Sequence, residues 1–236
     1  MRRMYTILLL LLVISTKIYP TDNVPSINPT ATFHLESGDV VCNDTTGSAP
    51  LSATLNANTE NIGGYTATYE WRFYTPGNSS QPFLVRYDES TDYIFEKSGT
   101  TYVELYATFV NGSDTIKYES EYWENAKPIS VTVSESKLEV PNAFSPNGDG
   151  INDTFHVKDG YQSLVDFHAY IYNRWGQLLF DWTNPADGWD GTYKGHQVKD
   201  GVYFVLVKAK GADGIKYNIK RDVNLLRGYT ESSTTK

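Results

Sequence analysis

Residues 201–227 read GVYFVLVKAKGADGIKYNIKRDVNLLR, and this stretch decides the fold. Val202–Ala209 is almost wholly apolar, as expected of a strand central in a sheet. Ala212-Asp213-Gly214 supplies Asp-Gly turn chemistry. After it, Lys216–Arg227 alternates: Tyr217, Ile219, Val223 and Leu225 point one way, with Arg221 the exception, and Lys216, Lys220, Asp222 and Asn224 point the other. A period of two over such a length is a half-buried strand with one basic, polar face. The pair predicts an antiparallel hairpin.

The same pattern recurs upstream. In Val165–Asn173, Val165, Phe167, Ala169 and Ile171 share one face, opposite Asp166, His168, Tyr170 and Tyr172. Gln177–Asp181 and Phe155–Val157 also read as strands, and Trp175-Gly176 as a sharp corner. Before residue 136 come Leu51–Leu55, Tyr65–Tyr74, Phe83–Tyr87, Thr101–Val110, Ile116–Tyr122 and Ile129–Val133, punctuated by Gly63-Gly64, Pro76-Gly77-Asn78, Ser98-Gly99 and the hairpin signal Asn111-Gly112. Short strands at this spacing with no helical stripe predict an all-β chain of two consecutive β-sandwich, immunoglobulin-like domains. Trp71, in mid-strand, suits a core position between two sheets.

The chain has 236 residues and a formal net charge of −8. Up to residue 136 there are 8 basic and 16 acidic side chains; beyond it the two are equal at 12 each. The change in charge coincides with a change in texture at Lys137–Asn142, where the domain joint is placed. An acidic balance argues against nucleic acid as the main partner. A single cysteine, Cys42, rules out an internal disulfide framework and a multi-cysteine zinc site. Cys42 either packs in a core or pairs between chains.

Arg2 and Arg3 precede an apolar run, Ile7–Ile14, followed by Ser15, Thr16, Lys17 and Pro20. This is the layout of a secretory signal peptide; a membrane span needs roughly twenty apolar residues. The expected division is a cleaved signal peptide at 1–20, a sandwich at 21–136, a second domain at 137–227 and a polar tail at 228–236. The mature chain is expected to carry no transmembrane span.

Four motifs in the second domain then identify it. VPNAFSPNGDGINDTF at 140–155, IYNRWG at 171–176, GWDG at 188–191 and DGVYF at 200–204 occur in order, with a final strand ending at Leu226-Arg227. Residues 138–227 resemble the gliding-motility-associated, type B C-terminal domain of Bacteroidetes. The resemblance implies a β-sandwich that acts as a sorting signal for the type IX secretion system. It implies passage through the periplasm, a translocon in the outer membrane and reliance on a PorP/SprF-like outer-membrane barrel protein. Nine residues follow the family's usual terminus. Residues 30–135 more loosely resemble immunoglobulin-like domains of the polycystic-kidney-repeat kind, usually spacers or binding modules, which names a fold rather than an activity.

Several constellations bear on sites. Lys216, Lys220, Arg221 and Arg227 are candidate partner-binding residues, against the alternative of an ordinary solvated strand face. Asn147, Asp149, Asn152 and Asp153 crowd oxygen side chains around Gly148 and Gly150. That set suits either a stack of turns or a calcium loop, though not an EF-hand, because Ile151 and Lys158 fall at ligand positions. Trp189, between Asp187-Gly188 and Asp190-Gly191, is read as a core anchor, with sugar stacking as the alternative. His34, His156, His168 and His196 lack metal spacing, and no nucleophile elbow, P-loop or His-Glu-x-x-His occurs, so no catalysis is expected. Asp44-Thr45-Thr46 and Asp114-Thr115-Ile116 resemble a periplasmic O-glycosylation signal of Bacteroidetes.

The resulting expectation is a non-enzymatic exported protein at the outer membrane or cell surface, an accessory or signalling component of type IX secretion. The alternative is a small surface adhesin for host protein or glycan, delivered by the same system.

Overall fold

A computed structural model describes residues 24–229. The signal peptide expected at 1–20 and the tail beyond Tyr229 lie outside the described residues. In chain order the elements are β1 (Thr30–Leu35), β2 (Gly38–Val41), β3 (Asp44–Gly47), β4 (Leu51–Asn56), β5 (Thr66–Tyr74), β6 (Leu84–Arg86), β7 (Ser90–Phe95), β8 (Gly99–Asn111), β9 (Asp114–Tyr118), one helical turn α1 (Ser120–Trp123) and β10 (Ile129–Val133). The second half adds β11 (Ala143–Phe144), β12 (Leu164–Tyr172), β13 (Leu178–Trp182), β14 (Thr192–Tyr193), β15 (His196–Gln197), β16 (Gly201–Gly211) and β17 (Lys216–Leu225).

The first half packs a sheet of order β2-β1-β4-β7 against a second of order β3-β10-β8-β5-β6, with β9 also on β8. Alternate residues turn inward, so Ala31, Phe33, Leu51, Ala53 and Leu55 of one sheet meet Trp71, Phe73, Val103, Leu105 and Val131 of the other in one buried core. Trp71 is fully buried and its indole N–H donates to the carbonyl of Asp88, which satisfies the polar edge that burial would otherwise strand. Cys42 is half-buried and packs on this core as a free thiol. The sequence signals of Ile116–Tyr122 run past the strand's end: β9 stops at Tyr118 and the rest winds into α1, whose Trp123 is buried with its indole N–H on Leu105 O.

The second half has its own core, built on a five-stranded sheet of order β11-β17-β16-β12-β13. The hairpin read from residues 201–227 is present in full, β16 and β17 pairing antiparallel from Gly201↔Leu225 to Lys210↔Lys216. β16 lies at the centre, as its apolar run requires. The inner face, with Phe144, Ile171, Val205, Val207, Val223 and Leu225, is covered by Phe155, Val157 and Trp189 from the long loops. Phe155–Val157 differs from its reading as a strand. Phe155 makes a single antiparallel bridge to Trp189, and these side chains reach the core from loop backbone.

The halves meet at a polar seam. Ser163 accepts a hydrogen bond from the Ala49 amide (3.1 Å) and lies 2.9 Å from the Ser134 hydroxyl, while the Ser98 amide donates to Ala212 O (3.1 Å). Ser136 pairs with Asp213, and Val165 and Ala212 pack against the first core.

Candidate functional site

Three of the four motifs of the second half, those at 140–155, 188–191 and 200–204, meet at Trp189 and Arg227. Gly188 has no side chain because none fits: a Cβ there would lie 2.5 Å from the carbonyl oxygen of Phe155. That close approach is what lets Phe155 and Trp189 exchange backbone hydrogen bonds of 2.8 and 2.9 Å. Trp189 is fully buried between Phe144 and Tyr203, with its indole N–H on Thr192 O at 2.7 Å. It is a core anchor, and its ring faces are not open to a sugar. Asp190 caps the turn by accepting from the Thr192 amide and hydroxyl.

Arg227 ties the third motif to the fourth. Its guanidinium donates to Gly191 O (2.8 Å), to Val198 O and to the Asp200 carboxylate (3.0 Å), and Asp200 also accepts the Arg227 amide (3.0 Å). Its side chain is only 18% exposed. Tyr203, two residues past Gly201, donates its hydroxyl to Lys199 O. In the second motif Asn173 Oδ1 accepts from the amides of Trp175 and Gln177, and Gly176 takes the positive φ that the corner needs.

The candidate partner-binding residues therefore divide. Arg221 is exposed yet donates to the carbonyl of Val140, and the half-buried Arg227 closes the motif cluster. Both act as braces in the domain. Lys216 and Lys220 stay exposed on the outer face of β17, and among the described residues neither forms an ion pair. Lys210 lies directly opposite Lys216, and Lys208 opposite Asn218. The same face carries an aromatic row that strand reading placed there: the His168 and Tyr170 rings stack at 4.1 Å, and Tyr170 and Tyr172 at 6.3 Å. Asp181 and the Tyr170 hydroxyl each lie 2.8 Å from a ring nitrogen of His168. Trp175, 81% exposed at the corner, has the Arg174 guanidinium over its ring.

The candidate calcium residues, Asn147, Asp149, Asn152 and Asp153, form a loop that caps itself. Asp153 accepts from the amides of Gly148 (2.7 Å) and Gly150 (2.8 Å), and these bonds hold its carboxyl below the usual value. Asp149 Oδ1 accepts the Ile151 amide, and Asn147 Oδ1 accepts the Asp149 amide. Asn152 has a positive φ and its carbonyl accepts the Ser145 amide. Among the described residues no three His, Cys, Asp or Glu side chains group as a metal site. Of the glycosylation-like triplets, Thr115 is exposed on β9, whereas Thr45 is half-buried in β3.

Sequence reading missed the pairing of Asp213 with Ser136 and the brace made by Arg227. Nothing in a local pattern announces a partner 77 residues away. A further opening, of about 390 Å³, lies in the first half beside β7, lined by Phe83, Tyr93 and Phe95 with Lys97, Ser98 and Thr101 at its polar side.

Residues 138–220 match the family model described as CHU_C Type IX secretion signal domain. No curated protein matches the chain. Among solved structures, the dimeric latent PorU of Porphyromonas gingivalis aligns at 12% identity and TM-score 0.25, over 87% of this chain and 20% of that one. The chicken CNTN1 FN1–FN3 domains align at 10% identity and TM-score 0.28, over 78% of this chain and 62% of that one. The chain thus spans about a fifth of the first and three fifths of the second, and at these scores neither adds to the architecture above. Residues 138–220 of this protein are thus similar to a type IX secretion signal domain, a kind of domain that implies export to the cell surface or secretion.

Proposed function

We propose that this protein is a non-enzymatic accessory or signalling component of type IX secretion, held at the outer membrane or cell surface after passing through the periplasm. A PorP/SprF-like barrel protein is its contact in the outer membrane. The observation that supports this reading is the polar seam between the halves. An address label meant to be discarded is best carried on a loose tether, whereas Ser134, Ser136 and Ser163 bond the acidic sandwich directly to the secretion domain. Address and cargo then travel and act as one body.

The test is a deletion strain. Loss of secretion or processing of many other exported proteins supports the reading; an unaltered set of secreted proteins overturns it. One observation favours the adhesin instead: the 390 Å³ opening lined by Phe83, Tyr93 and Phe95 has the size and apolar lining of a small-ligand site. Loss of adhesion alone in the same strain would favour that second reading.

A further inference from the structure

Strand β17 is paired unevenly. Toward the sheet it pairs with β16 over its whole length, but on its other side β11 meets it only at Asn224 and Leu225. On that second side the amide of Asn224 donates to Asn142 O and that of Leu226 to Phe144 O. Backbone groups alternate sides along a strand with a period of two, so the N–H and C=O of Lys216, Asn218, Lys220 and Asp222 face the same side. No strand lies against them among the described residues. Beside them opens a space of about 550 Å³, bounded by residues 138–140, Lys158 and residues 218–221 and crossed by the Arg221 side chain on its way to Val140 O.

The side chains at this edge add a charge requirement. Lys210 and Lys216 are directly opposed, a destabilising arrangement of like charges, and Lys208 and Lys220 extend the basic row without an ion pair among the described residues. Lys220 also borders a second hollow of about 330 Å³ on the outer face, floored by Tyr172, Phe204 and Leu206.

We propose that the open side of β17, Lys216–Asp222, accepts an acidic, extended segment of a partner protein as an added strand. The inference rests on the type IX reading above and names the chemistry of that contact. Backbone groups repeating at strand spacing are met by another backbone, which a glycan or a lipid headgroup does not reproduce. Edge lysines repel basic strands and resist desolvation against neutral ones, and carboxylates on the incoming strand convert that barrier into selectivity. The apolar hollow takes an anchoring side chain from the same segment.

Two variants of the full chain test this, with delivery to the cell surface as the readout. Asn218→Pro removes an outward N–H while leaving the β16 ladder intact, and proline is tolerated at such an edge. Lys216→Glu with Lys220→Glu reverses the charge on exposed side chains. Each is expected to lower surface delivery about tenfold, the cost of a lost strand contact of about 1.4 kcal/mol, with the purified proteins melting no lower than the parent, since Lys216→Glu relieves the repulsion with Lys210. If Asn218→Pro does not fold, the double glutamate variant decides. A photo-crosslinking amino acid at position 220 is expected to capture an acidic segment of the secretion machinery. Normal delivery of both folded variants, or crosslinks confined to lipid, glycan or a second copy of this chain, overturns the proposal. Deleting residues 137–236 separates the two claims. Delivery without them defeats the type IX reading itself, whereas delivery lost on deletion but kept by both variants defeats only the strand acceptor.

Discussion

Ser136 and Asp213 clasp the two halves of the protein. The Ser136 amide donates to Asp213 Oδ2 at 2.8 Å, and its hydroxyl lies 2.9 Å from Oδ1 and 2.8 Å from Oδ2. Burial pushes the Asp213 carboxyl up, but the amides of Ser136 and Ile215 and the Ser136 hydroxyl outweigh it, so it titrates below the usual value. A depressed carboxyl contributes stability above its unfolded pKa of about 3.9, and loses it as pH falls through the folded value. Asp213→Asn is therefore expected to lower Tm at neutral pH, with the gap to the parent closing below about pH 4. A gap constant across that range would show that the charge contributes nothing.

Gly211 lies under this clasp, where a Cβ would sit 2.1 Å from Ser136 Oγ and 2.3 Å from Asp213 Oδ1. Gly211→Ala should force the pair apart and cost about 1–3 kcal/mol in denaturant melts, the range for stranded hydrogen-bonding groups. A loss as small as that of a surface substitution would mean the seam adjusts freely.

Arg227 holds the carbonyls of Gly191 and Val198 as well as Asp200. Truncation to alanine leaves those carbonyls without their donor, so Arg227→Ala should cost about 2–3 kcal/mol. Arg227→Lys should recover only part of this, because an ammonium does not span the same fork of acceptors. Chemical denaturation of the three proteins checks both statements.

The loop from Asn147 to Asp153 gives a prediction about ions. Both Asp153 oxygens are already bonded to amides, and the carboxyl is held low by Gly148 and Gly150. Asp153→Asn should speed hydrogen exchange at those two amides above the usual carboxylate pKa, and the difference should fade as the parent's Asp153 is protonated at lower pH. If the loop is a stack of turns, millimolar calcium leaves the parent's exchange unchanged; slowing on addition of calcium would favour the ion-loop reading.

Trp189 has no room to be replaced. Trp189→Ala should cost about 3–5 kcal/mol, as for large aromatic truncations in a packed core. Gly188→Ala, which drives a Cβ onto the Phe155 carbonyl, should damage the same bridge without removing the ring. Thermal melts of the two variants separate the backbone's role from that of the side chain.

Much of this architecture was legible because it is periodic. The alternation in Lys216–Arg227, the apolar run at Val202–Ala209 and the Asp-Gly turn between them specify a hairpin on local grounds, and the observed register follows. Ile129–Val133 is read to its exact ends. Thr30–Leu35 alternates cleanly yet was not read, whereas Ser90–Phe95 hides its period because Thr91 is buried and Ile94 exposed, which inverts the contrast at both positions. The basic candidates divide for a related reason. A lysine and an arginine on one strand look alike in sequence, but only tertiary structure puts Val140 O within reach of Arg221 and leaves Lys220 in water.

β11, near the start of the secretion domain, lies parallel to the far end of β17, Ala143 beside Asn224 and Phe144 beside Leu225. The first and last pieces of that domain thus complete each other, and Arg227 locks them from the very end. A nascent polypeptide interrupted before this point would lack the closing clip. Truncated products would then leave the sheet unlatched, so that completion of the chain is written into the closure of the fold itself.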